Sequence, residues 1–153
     1  MENLPIAEAI RLAVAPIFLL AGIGALLNVM TARLGRVVDR ARLLEGMIEA
    51  GEEADLLMRH QVELAVLGSR IRAANRAIYT TSISALFVCF VVALLFVEEL
   101  TSSIPVAAEA IAALFILTMA FLTLGLAFFL REIAVASRSL QVRSELLGEQ
   151  RLR

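Results

Sequence analysis

Three long runs almost free of charge decide what this chain can fold into. Residues 12–30 are 19 positions without a charged side chain, and residues 77–97 are 21 more, rich in Phe, Val and Leu. A third run, residues 105–130, carries only Glu109 near its start. About 20 residues of helix cross the hydrocarbon core of a bilayer, and at ~1.5 Å per residue the shortest run reaches roughly 28 Å. A helix buried in a soluble protein rarely goes that far without a polar face. The expected fold is all-α and integral to the membrane: a single membrane domain over 1–153, with transmembrane helices at about 12–30, 77–97 and 108–130.

Composition agrees. The chain is 60% apolar and 19% charged, against roughly 45–50% apolar in a soluble domain. With 3 Pro, 8 Gly and 1 Cys, collagen, low-complexity disorder and a disulfide scaffold are excluded. A net charge of −1 gives no electrostatic footprint for nucleic acid. The first run does not read as a cleaved signal peptide. Its leader is acidic (Glu2, Glu8), and Arg33, Arg36, Arg40 and Arg42 follow it as a stop-transfer pattern.

The basic residues set an orientation. All 14 are Arg, and 13 of them fall either between the first two runs or after the third. The 98–104 loop has none. Basic loops stay in the cytoplasm, so the N-terminus is expected outside and the C-terminus inside. Glu98, Glu99 and Glu109 would then form an outer acidic rim.

Residues 31–76 have no Pro and read as a helical hairpin turning at Gly51–Asp55. On the first arm Met30, Leu34, Val37, Ala41, Leu44 and Ile48 are spaced alternately by four and three. That is the heptad seam of a coiled coil. Leu57, Leu64, Leu67, Ile71, Ala74 and Ile78 follow the same rule on the returning arm, with His60 at one seam position. The expectation is a cytoplasmic antiparallel coiled coil whose arms continue the membrane helices. Ile133, Leu140 and Leu147 repeat every seven residues in a cytoplasmic C-terminal helix over 131–150, a third member of the bundle.

Residues 15–42 (APIFLLAGIGALLNVMTARLGRVVDRAR), the RIRAANRAI of 70–78 and the FLRE of 129–132 resemble the DUF2721 family of bacterial membrane proteins. The resemblance covers roughly residues 10–140. It implies three spans in a bacterial inner membrane, and it brings no activity, cofactor or catalytic residue.

Enzymatic chemistry is not legible. The chain has no Walker loop, no Gly-x-Ser-x-Gly and no His-Glu-x-x-His. The lone His60 and lone Cys89 have no partners at metal-ligand spacing. No enzyme, metal or cofactor is expected. Small residues suit helix packing: Gly22 and Gly24 beside Ala21 and Ala25 on span one, below Pro16, and Ala85 and Cys89 between Thr81 and Ala93 on span two. They fit packing within one copy or between copies. Asn28 is a candidate intramembrane polar site. Arg33, Arg36, Arg72 and Arg76 lie at one height beside the spans, with Asp39, Arg131 and Glu132 near. The belt serves topology and anionic lipid contact, or it binds an anion or lines an inner vestibule. The absence of Lys suits forked carboxylate or phosphate contacts.

Three functions fit these features. One is a homo-oligomeric membrane component, with any channel or pore formed between copies. The second is an insertase-like protein, by analogy of topology alone. The third is an accessory scaffold whose hairpin docks a cytoplasmic protein partner through Glu45, Glu49, Glu52, Glu53 and Asp55.

Overall fold

A computed structural model describes the backbone of residues 4–50, 54–101 and 106–150, and the side chains of residues 10–50, 56–98 and 108–134. The described backbone forms three helices: α1 (Leu4–Glu49), α2 (Ala54–Thr101) and α3 (Val106–Gln150). They contain 46, 48 and 45 residues. At ~1.5 Å per residue each is about 70 Å long, more than twice the hydrocarbon thickness. Each expected span is therefore one part of a longer continuous helix. Pro16 is the proline in the interior of α1, Pro5 lies in its first turn, where a proline is tolerated, and the stretches beyond the apolar runs contain nothing else that stops a helix. The Ala50 N–H donates to the Gly46 carbonyl at 3.1 Å to close the last turn of α1. The turn expected at Gly51–Asp55 falls largely outside the described residues.

Two compact units divide the chain: Met1–Val29 with Ile78–Gly125, and Met30–Ala77 with Leu126–Arg153. In the first, α1 buries Ala13, Pro16 and Ile23, and α2 buries Thr81, Ser84, Val88 and Val91. On α3, Thr118 and Gly125 are buried. Phe87 meets Phe121 edge to face at 5.4 Å, a geometry set by the ring quadrupoles. The buried Ser84 hydroxyl donates to the Thr81 carbonyl at 2.7 Å, and that of Thr118 to the Leu114 carbonyl at 2.9 Å. A hydroxyl bonded to its own helix can lie in an apolar core without water.

The remaining surface of these helices is apolar and open. Only 17%, 22% and 11% of the most apolar windows of α1, α2 and α3 are buried. Phe18, Tyr79, Leu86, Phe90 and Ile116 are among the large side chains left exposed. A water-soluble protein does not leave that much contiguous apolar surface uncovered, so the three helices are membrane spans. Of the two packing roles left open for the small residues, the one within a copy is not seen at the glycines of span one. Gly22 and Gly24 are not used for packing within the copy: both are exposed, and a Cβ at either would meet nothing within 4 Å. Cys89 is exposed as well, and Ala85 is half-buried. The larger Thr81, Ser84, Val88 and Val91 form the buried row of α2 instead. Packing here follows the 3,4 spacing around the helix and not the four-residue row of the smallest side chains.

In the second unit the two arms pack through Ala41, Leu44 and Leu67, with Val37, Met47, Leu64 and Ile71 around them. Every seam position named from the sequence, His60 included, is buried or half-buried. At the far end of α1 it is Met47, not Ile48, that joins the cluster. Arg40 and Glu63 pair across the arms at 2.9 Å with both side chains well exposed, which is worth at most about 1 kcal/mol. Ile133 is half-buried, while the side chains of Leu140 and Leu147 lie outside the described residues.

Candidate functional site

The arginines expected to form one belt fall into two groups that meet at a buried ion pair. On α2, Arg72 and Arg76 are four residues apart and share a face, and Arg70 reaches across to α3. There its Nε and Nη2 donate to Oε1 of Glu132 at 3.3 and 3.0 Å. The Glu132 side chain is only 5% exposed and that of Arg70 25%. A side-chain carboxylate this far removed from water needs a hydrogen-bonding partner, and the Arg70 guanidinium supplies it.

Beside this pair a hollow of about 260 Å³ opens between α2 and α3, lined by Ser69, Arg70, Arg72, Ala73, Arg76, Phe128, Arg131 and Glu132. A second hollow of about 220 Å³ is lined by Arg33, Arg36 and Val37 of α1 together with Arg70 and Glu132. The Arg33 guanidinium lies 5.8 Å from the centroid of the Phe129 ring, a cation–π contact that limits its swing. Ser69 does not offer its proton to either hollow, since its hydroxyl donates to the Val66 carbonyl at 2.7 Å. Six arginines and one carboxylate thus line the two hollows, and that carboxylate is already taken by Arg70. Among the described residues Arg36, Arg72 and Arg131 make no ion pair. Guanidiniums gathered around one spent carboxylate repel one another, and the repulsion is relieved by an anion that accepts from several forks at once.

All four belt arginines therefore line hollows, Arg72 and Arg76 in one and Arg33 and Arg36 in the other. Asn28 is exposed on α1 in the first unit and lines neither. Of the acidic rim, Glu109 is exposed in the first turn of α3, where the helix dipole favours an acid. Glu98 is half-buried, and the Glu99 side chain lies outside the described residues. What sequence reasoning missed is the part played by Arg70, counted there only as a topological charge. The signal was present in the RIR of 70–72 and the RE of 131–132. In the first, Arg70 meets the neighbouring helix while Arg72 is exposed; in the second, Glu132 meets it while Arg131 is exposed. Among the described residues no group of His, Cys, Asp and Glu could hold a metal ion.

A family model described as protein of unknown function (DUF2721) matches residues 13–142. No curated protein and no solved structure matches the chain.

Proposed function

The chain belongs to the DUF2721 family, which brings no activity with it, and from its own geometry we propose a non-enzymatic, homo-oligomeric anion-recognition protein of the bacterial inner membrane. In this reading the N-terminus is outside, and the C-terminus and an antiparallel coiled-coil hairpin are in the cytoplasm, as the arginine asymmetry requires. The recognition site is the hollow between α2 and α3. One observation carries the proposal: Arg72 and Arg131, which make no ion pair among the described residues, line a 260 Å³ space whose carboxylate, Glu132, is bound to Arg70. Phosphate is the anion class that several guanidinium forks suit best.

The test is Arg72→Lys combined with Arg131→Lys. Charge is kept, so insertion and orientation should stay as in the wild type. Forked contacts are lost, so co-purified anionic lipid, weighed by native mass spectrometry, should fall severalfold. An unchanged lipid content would refute recognition at this site. Assembly is tested separately. Gly22 and Gly24 are free of neighbours within the copy, so Gly22→Leu should lower the oligomer number in the same spectra without unfolding the protomer. Any pore would then lie between copies.

A second reading has its own support. Met58, Val62 and Val66 recur every four residues on the returning arm and are 68%, 63% and 47% exposed. Such an apolar row on a hairpin favours a scaffold that docks a helical partner. The insertase-like alternative has weaker support, because the buried Ser84 and Thr118 hydroxyls are bonded within their own helices and not offered to a groove.

A further inference from the structure

The two arginine hollows share a wall. Arg70 and Glu132 line both. The guanidiniums that belong to one hollow only are Arg72, Arg76 and Arg131 on the α2–α3 side, and Arg33 and Arg36 on the α1 side. Arg76 has an interaction of its own, so Arg72 and Arg131 are the pair that calls for an anion on the α2–α3 side. Glu132 brings a single negative charge, already shared with Arg70 through Oε1, against at least two guanidiniums in each set. Each hollow therefore calls for an anion of its own, and the two anions would be separated by a single ion pair. We propose that the ligand carries two phosphates joined by a short flexible linker, one phosphate in each hollow, with Arg70–Glu132 as the post between them. The inference rests on the anion-recognition reading and adds the ligand class to it.

The sequence places this site at a membrane surface. At the ends of the three apolar runs that face residues 31–76 and 131–153, the first charged residues are Arg33, Arg76 and Arg131, and the runs are 12–30, 77–97 and 110–130. Basic pockets between spans at that depth meet lipid head groups. The source of the two phosphates is accordingly a glycerolipid of the cardiolipin type, and a soluble diphosphate is the alternative source of the same chemistry. Linking two phosphates makes the second contact intramolecular, which raises affinity by roughly a hundredfold or more over one phosphate alone.

The experiment uses the full chain in nanodiscs of zwitterionic lipid. Tetraoleoyl cardiolipin, dioleoyl phosphatidylglycerol or inorganic pyrophosphate is titrated in, and bound ligand is counted by native mass spectrometry. Cardiolipin should bind about a hundredfold more tightly than phosphatidylglycerol, and two phosphatidylglycerol molecules should occupy the place of one cardiolipin. Arg33→Gln with Arg36→Gln should bring cardiolipin down to the phosphatidylglycerol affinity, and so should Arg72→Gln with Arg131→Gln. Either double variant should keep one phosphatidylglycerol. Circular dichroism of the same samples identifies any variant that has lost its helices, and for such a variant the single substitutions Arg36→Gln and Arg131→Gln replace the pair. Equal affinity for cardiolipin and phosphatidylglycerol would overturn the two-phosphate ligand and leave anion recognition standing. Binding of none of the three probes would overturn both. Pyrophosphate that binds and displaces cardiolipin at equal concentration would overturn the lipid source.

Discussion

Replacing Arg70 by Met removes the guanidinium that Glu132 faces, and replacing Glu132 by Leu removes the counter-charge from a cluster of arginines. The Glu132 carboxylate, with its side chain 5% exposed, would lose the guanidinium that hydrogen-bonds it in the first variant. Breaking a buried pair from one side costs about 3–5 kcal/mol. Arg33, Arg36 and Arg131 line the same hollows and can lean toward the orphaned carboxylate, which argues for the low end, about 3 kcal/mol. In the second variant Arg70, 25% exposed, keeps some water, so the loss is smaller, about 2 kcal/mol. The double variant Arg70→Met with Glu132→Leu swaps the pair for apolar groups of similar size and should fall within about 1 kcal/mol of the wild type. Two single losses that sum to about 5 kcal/mol against a double loss near 1 imply a coupling of roughly 4 kcal/mol. The assay is reversible unfolding in dodecyl maltoside titrated with dodecyl sulfate, followed by helicity. Adding phosphate in place of chloride should restore part of the Glu132→Leu loss, since the arginines lining the two hollows then lack the Glu132 carboxylate, and should do nothing for Arg70→Met. If the two single losses simply add in the double variant, the pair is not a unit and the reasoning fails.

Three further outcomes follow from the same geometry. Leu44 is fully buried at the centre of the hairpin core while its neighbour Leu43 is 52% exposed; Leu44→Ala should cost about 3 kcal/mol and Leu43→Ala under about 0.5, read by thermal unfolding and proteolysis of the hairpin. The Arg40–Glu63 pair is exposed on both sides, so Arg40→Ala should lower stability by less than about 1 kcal/mol and the loss should vanish in high salt. Orientation is read by cysteine labelling in a Cys89→Ala background. Glu2→Cys and Ser102→Cys should react with an impermeant maleimide on intact cells, and Glu52→Cys should not; labelling at 52 without 102 would reverse the topology.

The spans and the hairpin core were legible because both follow from spacing along one helix. A run with no charge has one stable solvent, and a 4,3 alternation names the buried face of an arm before its partner is known. Ala41, Leu44 and Leu67 were reached that way and form the core. The same logic could not choose between the two packing roles left open for Gly22 and Gly24, of which the one within a copy is not seen. Small size permits close approach, yet it does not say which face a neighbour occupies, and the 3,4 row of larger residues on α2 took the buried position. For the candidate site, the sequence could give the height of Arg33, Arg36, Arg72 and Arg76 but not their azimuth around the helices. Arg70 and Glu132 are separated by 62 residues, and no periodicity within α2 or α3 links them. Their pairing depends on the rotation of α3 against α2, which is set by the packing of three helices together. That rotation turns a belt of like charges into two hollows with a shared wall. It also explains why the two members of the RIR motif differ: Arg70 is held by Glu132, and Arg72, two residues on and therefore well around the helix, faces the open space. A ligand that fills both hollows must reach around the Arg70–Glu132 post, so each substitution on either side reports on the same bound molecule.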